Sequence, residues 1–403
     1  MNQPLPLAGV RIVSAEQYGA GPFGSMLLAD LGAEVIKIEN PNDAGDIARS
    51  TGPYLLDGGG TSPDSQFFQS FNRNKKSMTL DLKSAEGQAV FRKLVSTADA
   101  VMNNLRGDQP AKLRLTYEDL KSVRASLVCV HLSAYGRDNE RAAWPGYDYL
   151  MQAEAGFLEL TGEPDGPPAR MGLSIVDYMT GTTTAMALLA GLLGARQTGQ
   201  GRDVDISLFD VALAQLTYPA TWYLNAGHVV ERMPRSAHPS TVPCQLVRTR
   251  DGWVFVMCMT PKFWEALALG IGQPGWLADP RFANTTSRRE HREALSVLLD
   301  EVFVAADTET WLQRLSGKLP IAPVLNLAQA LDNPHVASIG MVQPVPHPAA
   351  PGLRMLANPV KLDGQRTPAR VCSPLGADTE ALLAELGIEG PELEGLRDRK
   401  VIQ

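Results

Sequence analysis

The sequence predicts an α/β protein in which a large domain built on a parallel sheet is followed by a smaller α+β domain. Over residues 1–205, short apolar strand patterns alternate with helical patterns, which is typical of an open parallel sheet covered on both faces. The composition changes near residue 225, and His, Pro, Arg and Ser accumulate in 227–243. A hairpin pattern then places Asp251-Gly252 between two apolar runs, which is a strong turn signal.

The individual elements follow from the spacing of the apolar residues. In the large domain, strands are predicted at 10–14, 34–39, 77–82, 100–103, 127–132 and 202–207, and helices at 22–31, 85–97, 117–123 and 177–196. After a hairpin at 244–259, helices are predicted at 261–269, 287–305 and 378–386. We therefore expect the large domain at 1–205, with 325–403 returning to it, a linker at 206–228 and the small domain at 229–324.

The composition excludes several classes of function. The chain has 37 Lys and Arg against 44 Asp and Glu, a formal net charge of −7, so nucleic acid is not an expected partner and a polyanionic ligand would need a local basic pocket. Its 4 Cys are far apart and form no CxxC pair, which argues against a metal site or a disulfide framework. The longest apolar run, 185–195, is too short to cross a bilayer, and no signal-peptide pattern is seen. We expect a cytoplasmic protein without metal and without a membrane partner.

One carboxylate lies between a turn and a long helical pattern. Residues 161–181 read TGEPDGPPARMGLSIVDYMTG, a Gly/Pro-rich turn, a short apolar run, Asp177 and the start of the helix. A carboxylate at this position lies near the positive pole of the helix, which stabilises the ionised form. Such an aspartate can attack an activated acyl group. Because Asp is also a favoured N-cap, the position allows a structural role, a catalytic role or both.

A glycine turn joins the first strand to the first helix. The segment Gly19–Gly24 reads G-x-G-x-x-G, and Glu39 ends the next strand 20 residues beyond Gly19. This arrangement is that of a dinucleotide site in a nicotinamide or flavin oxidoreductase. Glycines also allow close packing of a strand and a helix, and Lys37 and Asn40-Pro41 are unusual for a ribose-binding turn. The motif alone leaves both interpretations open.

A basic cluster precedes the third predicted strand. It consists of Arg73, Lys75 and Lys76, and Arg106 follows at a later loop. Basic side chains in such loops bind phosphates through charge-assisted hydrogen bonds, although they are often only solvated. A thiol cofactor with three phosphates, such as coenzyme A, would need a patch of this kind on an acidic chain.

Several segments, taken in order, resemble the family III CoA-transferases, the group that includes formyl-CoA and carnitine CoA-transferases. They are LAGVRIVSAEQYGAGPFGSMLLADLGAEVIKIENP, FNRNKKSMTLDLKSAEGQ, PGYDYLMQAEAGFLELTGEPDGPP, VDYMTG, GQGRDVDISLFDVAL, DGWVFV, DPRF and PIAPV, and they span nearly the whole chain. The resemblance implies a large Rossmann-like domain, a small domain and an interlocked, ring-like homodimer. It also implies that Asp177, in the D-x-x-T-G segment, is the nucleophile, that coenzyme A is substrate and product, and that no prosthetic group is bound.

The predicted site residues combine this resemblance with the basic cluster. Predicted contacts of coenzyme A are Tyr18, Gly19, Ala20, Asn40, Arg73, Lys75, Lys76, Asn104, Leu105, Arg106, Tyr135 and Tyr147. Predicted contacts of the substrate acids are Gln17, Arg137, Arg170, His238 and Met257.

Some positions depart from the formyl-CoA subgroup. Asn40 replaces an arginine, Pro145 replaces a lysine, and a glycine loop is replaced by 257–261, so a formyl/oxalate substrate pair is not expected. Related racemases carry G-H-D where this chain has Gly146-Tyr147-Asp148. A tyrosine, with a pKa of about 10, does not replace a near-neutral imidazole as a base, so acyl transfer is favoured over racemisation.

The resulting prediction is CoA transfer through an aspartyl–acyl anhydride. The expected donor is succinyl-CoA or another dicarboxylyl-CoA, and the expected acceptor is a C4 or C5 dicarboxylate such as mesaconate, itaconate, citramalate or malate. The alternatives are an acyl-CoA racemase or epimerase of the same fold, an oxidoreductase that uses the Gly19–Gly24 turn, and a catalytically silent CoA-binding subunit.

Overall fold

The computed structural model describes residues 3–56 and 63–403, which form two compact units. The first unit comprises Met1–Ala155, Gly172–Leu216 and His335–Gln403, and the second comprises Gly156–Met171 and Thr217–Pro334. These bounds differ from the predicted ones in three respects. Residues 156–171 and residues 325–334 belong to the second unit, and most of the predicted linker at 206–228 is helical, divided between the units after Leu216.

The sheet of the first unit has six strands, all parallel. They are β1 (Arg11–Ala15), β2 (Glu34–Glu39), β3 (Lys76–Thr79), β4 (Ala100–Asn103), β5 (Val128–Ser133) and β6 (Arg202–Ser207). Their order across the sheet is β3-β2-β1-β4-β5-β6. In chain order, the sheet therefore extends from β1 through β2 to β3 on one side, and from β4 through β5 to β6 on the other. The predicted α/β class with a parallel sheet is confirmed.

The helices, in chain order, are α1 (Ala20–Asp30), α2 (Gln66–Asn72), α3 (Ala85–Val95), α4 (Gln109–Lys112), α5 (Tyr117–Leu120), α6 (Asp148–Glu154), α7 (Ile175–Thr198), α8 (Leu208–Gln215), α9 (Thr217–Ala226), α10 (Pro261–Gly270), α11 (Thr285–Glu290), α12 (Arg292–Phe303), α13 (Thr308–Leu315), α14 (Leu327–Leu331), α15 (Pro334–Ser338), α16 (Thr379–Glu385) and α17 (Gly390–Asp398). The single helix predicted at 287–305 is wrong, because the chain breaks at His291, which ends α11 and precedes α12. In the part of the chain that the structure describes, no helix is long and apolar enough to cross a membrane.

Apolar side chains cover both faces of the parallel sheet. Successive residues of a strand point to opposite faces, so Ile12 packs with α1 and α7 on one face, whereas Val13 packs with α3, α16 and α17 on the other. Residues buried on both faces produce nearly continuous apolar strands. This explains why the strand patterns could be located from the sequence.

The second unit contains a small antiparallel sheet and its own core. Its strands β7 (Cys244–Arg248), β8 (Trp253–Met257) and β9 (Ile321–Pro323) follow one another across the sheet. The β7–β8 hairpin turns at the predicted Asp251-Gly252. Helices α10, α12 and α13 bury aromatic and aliphatic side chains against it, among them Trp264 and Phe303. Two short antiparallel pairs, β10 (Val342–Pro344) with β11 (Arg354–Leu356) and β12 (Lys361–Leu362) with β13 (Gln365–Arg366), lie in the returning segment of the first unit.

Candidate active site

A cavity of about 590 Å³ opens beyond the carboxyl ends of the central strands. Its wall is formed by Gln17–Ala20 after β1, Asn104–Arg106 after β4, Leu132–Ala134 at the end of β5, the segment Trp144–Tyr147, and Asp177. β1 and β4 are the adjacent strands from which the chain builds in opposite directions. In open α/β sheets, ligands bind at this point, beyond the carboxyl ends of the strands. The cavity is therefore the candidate active site of the first unit.

Asp177 reaches the cavity from the first turn of α7. It is the third residue of the helix, and the N-cap is Ser174, so the predicted capping role of Asp177 is wrong. Only 8% of Asp177 is exposed. The backbone N–H of Asp177 donates to Oδ2 of the buried Asp148 (3.0 Å), and Gln152 Nε2 donates to Oδ1 of the same carboxylate (2.5 Å). The start of α7 is thus fixed to the start of α6.

The carboxyl group of Asp177 is not held in its ionised form. Burial, and after it the negative charge of Asp148, raise the pKa of Asp177 to about 7. The location near the helix pole favours the anion, but loss of water outweighs it. At neutral pH, Asp177 therefore exists both as the acid and as the carboxylate, and only the carboxylate is a nucleophile.

The three glycines of the Gly19–Gly24 turn each allow a close approach within the unit. A Cβ atom on Gly19 would lie 2.5 Å from Oδ2 of Asp177, and one on Gly21 would lie 2.8 Å from the Cβ atom of Asn104. A Cβ atom on Gly24 would lie 2.5 Å from the carbonyl oxygen of Gly181 in α7. The turn therefore brings the backbone of α1 against the catalytic candidate and its helix.

Glu39, the acidic residue that a dinucleotide site would require, is already bound. Arg49 donates to both of its carboxylate oxygens at 2.7 Å, and Ser77 Oγ donates to Oε1 at 2.7 Å. Burial alone would raise the pKa of Glu39, but the hydrogen bonds and charge of Arg49 prevail and lower it to about 2. Since Glu39 is 3% exposed and both of its carboxylate oxygens are bonded to Arg49, a ribose would have to displace Arg49, and the dinucleotide interpretation loses its main support.

The segment before Gly19 is held in an unusual conformation. Tyr18 has a φ angle of 68°, in the left-handed region that residues with a Cβ atom rarely adopt. Its ring packs against Phe67 and Tyr147, at centroid distances of 5.2 and 6.2 Å. The preceding residue, Gln17, exchanges two hydrogen bonds with the Asn104 side chain, through its N–H (2.9 Å) and its carbonyl (2.7 Å). This polar and aromatic frame surrounds the approach to Asp177.

The basic cluster does not serve the cavity as predicted. Arg73 is 5% exposed and donates to Asp30, and Lys75 is 1% exposed with its Nζ atom 2.8 Å from Glu16. Lys76 pairs with Glu34 at the start of β2, away from the carboxyl ends of the strands. The charges are neutralised by carboxylates that lie far away in the sequence, which residue order alone does not reveal. The expected role of this cluster as a phosphate site has no support in the geometry.

The other predicted residues are divided between several places. The cavity brings together Asp177 with Gln17, Tyr18, Gly19, Ala20, Asn104, Leu105, Arg106 and Tyr147. Asn40 lines a second cavity of about 300 Å³, which shares Gln17, Leu105 and Gln109 with the first.

Two predicted residues of the first unit are engaged elsewhere. Tyr135 donates its hydroxyl to Glu154 (2.8 Å), and Arg137 forms ion pairs with Asp203 and Asp205. Neither lines the two cavities that share Gln17. The structure therefore gives no support to the predicted contact of Tyr135 with coenzyme A or of Arg137 with the substrate acids.

Three predicted substrate contacts belong to the second unit: Arg170, His238 and Met257. Nδ1 of His238 accepts the backbone N–H groups of Ser240 and Thr241, both at 3.1 Å. The roles of these three residues stay predictions.

Sequence reasoning overlooked the importance of Asp148 and Asp46. In the sequence analysis, Asp148 is named only as the neighbour of Tyr147. Because Tyr147 was a predicted site residue, the carboxylate next to it could also have been considered for the site. Asp46 is buried beneath Tyr18 and accepts its N–H. No local motif marks it.

Comparison with known proteins identifies the group to which this site belongs. The sequence matches the model of CoA-transferase family III over residues 7–379. The chain belongs to CoA-transferase family III. The predicted family is confirmed, and the protein is a CoA-transferase, an enzyme class whose substrates are CoA thioesters.

Relatives of this CoA-transferase match over nearly their full length. A succinate–glutarate CoA-transferase of Agrobacterium fabrum is 31% identical over 96% of this chain and 96% of its own. A succinyl-CoA:mesaconate CoA-transferase of Haloarcula marismortui is 32% identical over 95% of this chain and 97% of its own. The crystal structure of a CAIB/BAIF family protein from Brucella suis superposes with a TM-score of 0.82 at 32% identity, covering 95% of this chain and 100% of that one.

Proposed function

We propose that this CoA-transferase moves CoA from an acyl-CoA to a free carboxylic acid with Asp177 as the nucleophile. The observation that carries the proposal is the placement of a buried carboxyl group, 8% exposed, in the wall of the cavity at the switch point of the sheet, directly against the backbone of Gly19. A carboxylate in this position can attack the carbonyl carbon of a thioester.

The reaction proceeds through mixed anhydrides. Attack by the Asp177 carboxylate forms a C–O bond, breaks the C–S bond and releases CoA as a thiolate. The acceptor carboxylate attacks the aspartyl carbonyl, and the donor acid leaves, so that the acceptor now forms the anhydride. The thiolate attacks the acyl carbon of the acceptor, which gives the new acyl-CoA and restores Asp177. Thioester and anhydride are exchanged without an external energy source.

Backbone N–H groups at the start of α1 stabilise the oxyanion of each addition. The first N–H groups of a helix have no acceptor within the helix, and the helix pole adds a partial positive charge. The N-cap of α1 is Gly19 and its first residue is Ala20, and both line the cavity together with Asp177. The second helical residue, Gly21, follows directly. Preorganised donors of this kind contribute about 3 to 4 kcal/mol each to lowering the barrier.

Coenzyme A extends from Asp177 toward the second cavity. The two cavities share Gln17, Leu105 and Gln109, so they are adjacent, and we propose that a long ligand occupies both. Arg106 in the first cavity and Lys83 in the second are the side chains that we propose for the phosphate groups, since the other ionisable residues that line the second cavity are carboxylates, among them Asp43 and Asp81. Asn40 also lines the second cavity.

Short dicarboxylic acids are the proposed acyl groups. Support comes from the relatives named for succinate, glutarate and mesaconate. Arg170, His238 and Met257 keep their predicted role as contacts of the substrate acids. An interlocked homodimer is part of the same proposal, and light scattering of the purified enzyme tests it, since a monomer would contradict it.

Mass spectrometry of the enzyme with succinyl-CoA and a pooled set of short mono- and dicarboxylic acids tests the proposed reaction. We expect a new acyl-CoA from the wild type and none from Asp177→Ala. Asp210→Ala is the matched control, because Asp210 occupies the same helical position in α8 but is exposed, and it should retain turnover. Hydroxylamine should trap the anhydride at Asp177 in the wild type.

Three other outcomes would contradict parts of the proposal. Turnover of Asp177→Ala at the wild-type rate would eliminate Asp177 as the nucleophile. Exchange of the α-proton in D₂O without a new thioester would indicate a racemase. Binding of CoA without any exchange across the acid panel would indicate a silent subunit.

A further inference from the structure

A buried carboxylate lies directly beneath the wall of the active-site cavity. Asp46, 3% exposed, accepts the backbone N–H of Tyr18 at 3.0 Å through Oδ1 and at 3.3 Å through Oδ2. The same group accepts the N–H of Ala48 at 2.9 Å and pairs with Nζ of Lys37 at 2.8 Å. Neither side chain of the ion pair has any exposed surface. A carboxylate held in this way has little freedom to move.

The Tyr18 backbone needs such a partner. A left-handed φ angle is unfavourable for a residue with a Cβ atom, and tyrosine lacks the short polar side chain that helps Asn or Asp to adopt it. Two side chains oppose its relaxation: Asn104 holds the peptide groups of Gln17, and Asp46 holds the N–H of Tyr18 itself. A strained conformation persists where its surroundings determine it in this way.

The conformation of Tyr18 determines where Gly19 lies. The peptide group after Tyr18 leads into Gly19. This backbone lies so close to Asp177 that a Cβ atom placed on Gly19 would be 2.5 Å from Oδ2 of Asp177. If Tyr18 relaxed to an ordinary φ angle, this peptide would rotate and the start of α1 would move relative to the carboxyl group. Ion pairing with Lys37 keeps the acceptor in place.

We propose that Asp46, held by Lys37, is a positioning residue of this enzyme. It fixes the left-handed backbone of Tyr18, and thereby aligns Gly19 and the following N–H groups with the thioester carbonyl that Asp177 attacks. This inference rests on the proposed function of Asp177. Asp46 also belongs to the wall of the second cavity, but its carboxylate oxygens are already bonded to Tyr18, Ala48 and Lys37. Its effect should therefore appear in the rate of acyl transfer to Asp177 more than in the affinity for CoA.

The first test compares Asp46→Ala and Asp46→Asn with a control that loses another buried carboxylate. Asp30→Asn is that control, because Asp30 is 2% exposed and ion-paired with Arg73 but lines neither active-site cavity. We expect Asp46→Ala to lower kcat on the order of 100-fold, as misplacement of reacting groups does, with the Kd of CoA changed by less than about threefold. The rate of hydroxylamine trapping should fall with kcat.

Conservative replacement separates positioning from folding. In Asp46→Asn, the side-chain oxygen can still accept the Tyr18 N–H, but the ion pair with Lys37 is lost, so kcat should lie about three- to tenfold below that of the wild type. Asp30→Asn should keep the wild-type kcat even if its melting temperature falls. If Asp46→Ala does not fold, Asp46→Asn alone decides the matter, because a kcat equal to that of Asp30→Asn would overturn the proposal.

A double-mutant cycle with Tyr18→Gly provides the sharper readout. Glycine adopts a positive φ angle without penalty, so the backbone at this position no longer depends on Asp46 in the Tyr18→Gly variant. We expect Asp46→Ala to cost less than about threefold in kcat in that background, against the much larger loss in the wild type. Equal losses in the two backgrounds would show a general structural effect and would overturn the proposal.

The outcomes also separate this inference from the proposed function. A wild-type enzyme that transfers no acyl group and yields no trapped Asp177 overturns both. An active wild type with trapped Asp177, together with full kcat in Asp46→Ala, overturns only the role of Asp46.

Discussion

Replacement of Asp177 by Asn should make the protein more stable as the pH rises from 5 to 7, relative to the wild type. Asn keeps the size of the side chain and removes its charge. The pKa of Asp177 is raised from 3.8 to about 7, first by burial and then by Asp148. At roughly 1.4 kcal/mol per tenfold change in proton affinity, this corresponds to about 4 kcal/mol.

The sign follows from proton binding. Between roughly pH 4 and 7, the folded protein retains a proton on Asp177 that the unfolded chain releases, so a rise in pH favours unfolding. The wild type should lose about 1.4 kcal/mol per pH unit relative to Asp177→Asn, or roughly 2 to 3 kcal/mol from pH 5 to 7. The helix pole acts in the opposite direction, but contributes at most about 2 kcal/mol, which is less than the effect of burial.

Urea denaturation of both proteins at pH 5, 6 and 7 measures this difference through the midpoint and the slope of each transition. Asp210→Asn is the control, because Asp210 is an exposed carboxylate in the first turn of α8 and should feel mainly the favourable helix pole. Its replacement should therefore destabilise the protein slightly at pH 7. An Asp177→Asn variant less stable than the wild type at pH 7, or a difference that does not change with pH, would refute the reasoning.

Three further predictions concern close contacts and buried charge. In Gly19→Ala, the new methyl group would lie 2.5 Å from Oδ2 of Asp177, so steady-state assays should show a kcat lower on the order of 100-fold; an unchanged kcat would contradict this. In Gly24→Ala, the methyl group would lie 2.5 Å from a backbone carbonyl of α7, which should cost about 1 to 3 kcal/mol of unfolding free energy. A denaturation midpoint equal to that of the wild type would count against it. Arg49→Met leaves the carboxylate of Glu39 buried without its partner, and should cost about 3 to 5 kcal/mol at pH 7, measured in the same way. A loss below about 1 kcal/mol would mean that the ion pair is replaced by other contacts.

Regular elements of the fold were predictable because their signals are local. The strand at 34–39 and the hairpin turn at Asp251-Gly252 were located correctly from alternation and turn chemistry. The break at His291 was not, since the apolar spacing continues through it. Local patterns report the type of an element better than the point where it ends.

The chemistry of the site was only partly predictable from the sequence. The position of Asp177 before a helix was a local signal, whereas its protonation depends on burial and on Asp148, which approaches from another helix. The charges of Arg73 and Lys75 suggested a phosphate site because their carboxylate partners lie 43 and 59 residues away in the sequence. Long-range pairing of charges is a property of the fold, and no motif records it.

The contact between Gly24 of α1 and Gly181 of α7 also limits how this enzyme can be recombined. The two helices meet backbone to backbone, and one begins at the proposed oxyanion site while the other carries Asp177. In a chimera of two homologous enzymes, a crossover between residues 24 and 181 would take the two helices from different parents. Such a chimera should be active only where both parents have glycine at these positions. In recombination experiments, the two helices should therefore be taken together from the same parent.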